Sequence, residues 1–171
     1  FIIMSEITEI LSDTLTDSGI SVGEIGKNLS KETLRYDQCV RMILDIGAQI
    51  ERLKENGYGL LNIGLEQVFK TSSGAFILSS KRDLYYKCTK TGMLDITRPF
   101  KKEDSMSPEA LAIDSLPSEV SYTTAYYSLG NLACDVLGID RDISSLKPTK
   151  LYFLLERCMQ EDPASRVFLF I

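Results

Sequence analysis

The sequence contains no histidine. That absence removes every mechanism that needs an imidazole as general base, as metal ligand or as a proton switch near neutral pH. Paired cysteines are missing too. Cys39, Cys88, Cys134 and Cys158 lie far apart, no two form a C-x-x-C pair, and no histidine is available to complete a zinc set. They read as reduced, buried thiols. No run approaches the length of a membrane span, and the N-terminal FIIM is too short for a signal h-region and lacks a basic flank. Positive charge is in short supply: the net charge is -5, the pI is near 4.9, and the basic residues read as scattered. Phosphate binding depends on clustered Lys and Arg, so neither nucleic acid nor a membrane is expected as partner. The expected setting is intracellular.

What is present is ordinary for a globular chain. With 171 residues, 44% hydrophobic and 25% charged, the sequence can build one domain with a sizeable core. It opens on Phe1 and closes on the apolar RVFLFI, so both ends read as cut and the domain as part of a longer polypeptide.

The clearest element spans 36–54, where Tyr36, Val40, Ile43, Leu44, Gly47, Ile50 and Leu53 recur at helical spacing. Asp37 in its first turn and Arg52 and Lys54 in its last suit the macrodipole, and Asn56-Gly57 is a stop signal. Met4, Ile7, Ile10 and Leu11 predict a short first helix. The following SGISVGEIGKNLSKE is a polar connection in which Ser21 and Glu24 have the spacing of a capping box and suggest a helical turn. QVFKT and AFILS, on either side of Ser72-Ser73-Gly74, predict a small hairpin. Residues 84–106 have no sustained period and read as a long irregular segment.

Ser107-Pro108-Glu109 has the form of an N-cap followed by proline at the first helical position. Ala125, Leu129, Leu132, Ala133, Val136 and Leu137 mark a central helix ending at Gly138, in which Tyr126 and Tyr127 read as packing residues. Leu151, Leu154, Leu155, Cys158 and Met159 mark another, and Asp162-Pro163 predicts the start of a last one. The expected fold is mainly α, with one small β-hairpin.

This order, with its motifs, resembles the C-terminal lobe of a eukaryotic-type protein kinase without its N-lobe. FIIMSEI resembles the last N-lobe strand running into the hinge (1–7), GYGLLNIGLEQ the catalytic loop (57–67), and 79–109 the activation segment closed by SPEAL in place of A-P-E. YYSLGNL resembles the W-S-L-G signature, and CMQEDPASR the C-x-x-x-D-P-x-x-R segment, within C-terminal helices at 118–171. LPSEVSYTTAYYSLGNL and TKLYFLLERCMQEDPASRVFLFI further resemble kinase-like proteins of large nucleocytoplasmic DNA viruses. The resemblance implies a partly buried ion pair between Glu109 and Arg166.

It also shows what has been lost. The family pattern H-R-D-x-x-x-x-N places Leu60 and Leu61 at the His and Arg, Asn62 at the catalytic Asp and Gln67 at the metal-binding Asn, while Gly64 replaces a lysine. An amide accepts no proton at neutral pH and carries no anionic charge. The D-F-G position falls near Leu78-Ser79-Ser80-Lys81, so Ser79 and Ser80 occupy the metal motif, with Asp83 the nearest acid. The aspartate that would hold the catalytic-loop backbone is Ala125. Glu103-Asp104 and Glu161-Asp162 read as solvated surface.

The resemblance therefore implies a pseudokinase module acting as a scaffold or protein-interaction component, in the host cytoplasm or in a virion, without catalytic residue, metal or cofactor. Two alternatives stand beside it. One is the C-lobe of an active serine/threonine kinase using ATP and magnesium with Asp83 or another displaced acid; the other is a mainly helical viral structural or assembly protein unrelated to kinases. Expected interaction faces are 84–106 and the surface an N-lobe would cover, around 1–4 and 76–78.

Overall fold

In a computed structural model the described residues are 2–30 and 32–170, with side chains from residue 6 onward. Five helices and three small antiparallel sheets make the fold mixed instead of mainly α. The main core is built around α2 (Tyr36–Glu55), which packs against α1 (Ile2–Asp17) and α4 (Thr124–Leu137), with α5 (Lys150–Cys158) against α4.

The sequence expectation for α2 holds almost to the residue, because its ends are chemically marked. The Arg35 N–H donates to Gln38 Oε1 at 3.1 Å, and Asn56 Nδ2 donates back to the Arg52 carbonyl at 2.8 Å. Its buried face includes Cys39, Met42, Ile43, Ile46, Ile50 and Leu53. Burying each large apolar side chain contributes about 1.5–3 kcal/mol. Gly47 is required by close approach: a Cβ there would lie 2.0 Å from Phe168 Cζ. That ring stacks on Tyr126, with centroids 5.2 Å apart, so the C-terminal segment is pressed into the α2–α4 junction.

Two polar residues share this buried face. The hairpin is β3 (Val68–Thr71) and β4 (Phe76–Leu78), and β4 lies along α2. Asp45 Oδ2 accepts from the Phe76 N–H at 3.0 Å, and Gln49 Oε1 accepts from the Leu78 N–H at 3.0 Å. Gln49 Nε2 donates to the Phe76 carbonyl at 2.9 Å. Helix side chains thus satisfy backbone groups on the outer edge of β4, which would otherwise be buried without partners.

Several expectations are corrected. Residues 2–7 are the first turns of α1, not a strand and hinge; α1 runs to Asp17, and the apolar residues at 1–4 lie outside the described side chains. Phe76, Ile77 and Leu78 are core residues, so they offer no exposed face. Ser21 and Glu24 cap no helix. Glu24 instead exchanges backbone hydrogen bonds with Ser72, accepting from its N–H and donating to its Oγ, both at 2.8 Å. This contact delivers the chain into β1 (Ile25–Asn28), which adds to the hairpin in the order β1-β3-β4.

The segment read as irregular contains β5 (Tyr85–Lys87), paired with β2 (Tyr58–Leu60), and β6 (Met93–Ile96), paired with β7 (Ser118–Ser121). Residues 118–121 are therefore strand, not the start of the C-terminal helices. These two ribbons enclose a second apolar cluster of Leu61, Tyr86, Leu94, Ile96, Met106 and neighbours. α3 (Pro108–Leu111) is a single turn capped by Ser107, whose Oγ accepts from the Ala110 N–H at 3.2 Å. α4 ends at Gly138 in the left-handed conformation, and Asp162-Pro163 opens only a 3₁₀ turn, Pro163–Ser165, with Asp162 as its cap. Among the described residues no helix is long and apolar enough to cross a membrane.

Candidate functional site

Leu60 and Leu61 stand side by side at the end of β2 and point to opposite faces, Leu60 into the main core and Leu61 into the second cluster. Both are buried, so the loop that follows is anchored on two sides before it reaches its polar residues.

Asn62 comes next. Its Oδ1 accepts from Ser105 Oγ and from Ser128 Oγ, each at 2.8 Å. Ser128, on α4, also accepts from the Ile63 N–H at 3.0 Å. Asn131, one turn further along the same helix, donates through Nδ2 to the Ser105 carbonyl at 3.1 Å. A neighbouring pair of hydroxyls, Ser107 and Thr124, lies 2.6 Å apart, and Thr124 Oγ1 is 3.4 Å from the Leu61 carbonyl. The loop, the 105–107 turn and α4 are thereby joined by two neighbouring sets of polar contacts, one centred on the Asn62 amide oxygen and one on the Ser107 and Thr124 hydroxyls.

The other loop positions have local roles. The Gly64 N–H donates to Gln67 Oε1 at 2.9 Å, and Gln67 Nε2 reaches Glu66 Oε1 at 3.3 Å. Gln67 therefore closes its own turn, Leu65–Gln67. Ser79 is buried; its N–H donates to the Gln67 carbonyl at 2.7 Å, and its carbonyl accepts from the Tyr85 hydroxyl at 2.5 Å. Ser80 beside it is half-buried. Asp83 is exposed and shares a cleft of about 310 Å³ with Asn62, Glu66, Gln67, Lys101 and Glu103. Among the described residues no group of three His, Cys, Asp or Glu could hold a metal ion.

Ala125 is fully buried and has no polar atom to offer the loop. The backbone support expected of an aspartate there comes from Ser128, three residues on. Sequence reasoning missed Ser128 and Asn131; the available signal was two polar residues inside an apolar helix, a pattern that costs stability unless they are paired.

Glu109 and Arg166 are brought together. Arg166 Nη2 donates to Glu109 Oε1 at 2.8 Å and Nη1 to Glu109 Oε2. The arginine side chain is 0% exposed and the glutamate 18%. Carbonyls take the remaining donors: Gln160 accepts from Nε at 2.7 Å, Thr123 from Nη1 and Glu161 from Nη2, each at 3.3 Å. The guanidinium also lies 5.1 Å from the Tyr127 ring centroid. All four cysteines are free and buried, and burial raises the thiols of Cys39 and Cys158 to about 12. They are unsuited to nucleophilic chemistry.

Compared with known proteins, the chain matches no family model and no curated protein. The kinase resemblance rests on its motifs and their placement.

Proposed function

We propose that this chain is a protein-kinase-like C-lobe module without phosphoryl transfer, working as a scaffold that binds other proteins. The observation that carries this reading is Asn62. Its amide stands where the family has a catalytic aspartate, and its oxygen is already occupied by two serine hydroxyls. Phosphoryl transfer is positioning plus charge stabilisation, and an amide held in this way supplies no base. Gln67 and Ser79 are engaged in backbone and turn contacts, and neither they nor Ser80 carry a charge, so the residues at the matched positions do not fit a magnesium nucleotide.

The Glu109–Arg166 pair supports the kinship, because it joins the turn at SPEAL to the turn at DPASR as the family architecture does. By the same resemblance the setting is a host cytoplasm or a virion. Thermal unfolding with ATP and magnesium or manganese tests the reading. A flat response is expected; stabilisation by several degrees overturns it, since any ligand of the native state raises apparent stability.

Asp83 gives the active-kinase alternative its one supporting observation, since it shares a cleft with Asn62 and Gln67. Radiolabelled phosphate transfer that is lost in Asp83→Ala would establish that alternative.

A further inference from the structure

The basic residues are less scattered than a reading along the whole chain suggests. Seven of the nineteen Lys and Arg fall within 81–102, with only two of the 24 Asp and Glu, so this strip is net positive on a chain of net charge -5. All seven are exposed.

The fold gathers three of them. Lys81, Arg82 and Arg98, with Asp83, line a recess of about 440 Å³ beside the 3₁₀ turn Arg82–Leu84. Arg98 is held in place: its Nη2 donates to the carbonyls of Asp83 and Tyr85 at 3.1 and 2.9 Å, and its guanidinium lies 4.2 Å from the Tyr86 ring centroid. Among the described residues none of the three makes a salt bridge, whereas Arg35, Arg41, Arg52, Arg141 and Arg166 all do. The chain thus keeps three cations together, one with a fixed orientation, and pairs none of them in a salt bridge, although Asp83 stands in the same wall.

We propose that this recess docks an acidic segment of a protein partner through its carboxylates. The proposal rests on the reading of the chain as an interaction module and names the chemistry of its partner. Carboxylates fit better than phosphates because Asp83 stands in the wall and repels a doubly charged group more strongly than a single charge. The lysine and arginine stems and the Tyr86 ring offer apolar surface to a peptide backbone.

The test is binding of a fluorescein-labelled octaglutamate peptide to the full chain at low ionic strength. Lys81→Glu/Arg82→Glu, at two exposed positions, is expected to weaken binding by about tenfold or more. Lys27→Glu/Lys150→Glu, which reverses two exposed charges elsewhere, is expected to leave it within about twofold, and added salt is expected to weaken wild-type binding. Arg98→Lys retains the charge but not the planar fork, and is expected to weaken binding while the circular dichroism spectrum is unchanged. Equal loss in both double variants, or no measurable peptide binding, overturns the proposal. Tighter binding of polyadenylate or phosphatidylserine vesicles through Lys81 and Arg82 overturns the choice of a protein partner. A flat ATP response with no peptide binding removes this surface and leaves the pseudokinase reading intact, whereas stabilisation by ATP removes that reading whatever the peptide does.

Discussion

Glu109 and Arg166 are 57 residues apart in the chain, yet they form a two-contact ion pair in which every nitrogen of the guanidinium has a partner. The pair fastens α3 to the segment after α5 across the start of α4. Removing one partner leaves the other charge buried without compensation. Glu109→Ala is expected to lower stability by about 3–5 kcal/mol in urea unfolding. Replacing both residues with apolar side chains of similar volume should cost far less, and equal losses for the single and double variants would mean that the pair is not the source of the effect.

Asn62 is expected to be a structural residue. In Asn62→Ala two serine hydroxyls lose their shared acceptor, at a cost of about 1–3 kcal/mol. Asn62→Asp keeps the acceptor, so it should retain more stability than the alanine variant while showing no phosphate transfer. Chemical denaturation and a transfer assay on the same preparations check both halves.

Gly47→Ala pushes a methyl group into the Phe168 ring, and overpacking of this kind costs about 1–3 kcal/mol. Because the ring belongs to the C-terminal segment, the expected sign is faster proteolytic release of the residues after Arg166, together with loss of near-ultraviolet tyrosine signal as Tyr126 loses its stacked neighbour. Unchanged cleavage would mean that the ring has room to move aside.

Asp45 gives a pH dependence. Burial raises its carboxyl above the ordinary value of 3.8, partly offset by the Phe76 N–H and by Arg41. A raised carboxyl favours the protonated form in the folded state, so its contribution is full below the unfolded value and is lost as pH rises through the folded one. Asp45→Asn cannot titrate. Its stability relative to wild type is therefore expected to rise as pH increases from about 4 through the acid range, measured by urea midpoints at successive pH values; a flat difference refutes this.

Much of the helical frame was legible in the sequence, for reasons specific to each element. α2 carries an apolar stripe, an acidic first turn and an Asn-Gly stop, and α4 carries small residues and a terminal glycine. The strands were harder to read. β5 has only three residues, β6 alternates over four, and β1 is almost entirely exposed, so its identity comes from pairing with β3 and from the Glu24–Ser72 contact. At the site, the motif positions came from the family resemblance, but the contact of Ser128 with the loop was not legible, because only the fold reveals which turn of α4 faces the loop. Asp45 and Gln49 were hidden in the same way, because only the neighbouring strand explains their burial.

Those two side chains also give the three-stranded sheet a direction. On its β4 side the outward N–H groups of Phe76 and Leu78 are consumed by α2, so a further strand cannot add there without first displacing a helix. On the other side β1 is exposed, and no strand lies beyond it among the described residues. Any extension by another polypeptide therefore proceeds from β1 alone. Two copies could meet edge to edge, β1 against β1, but a third would find no free edge, so strand addition through this sheet ends at a pair and cannot propagate into a fibre.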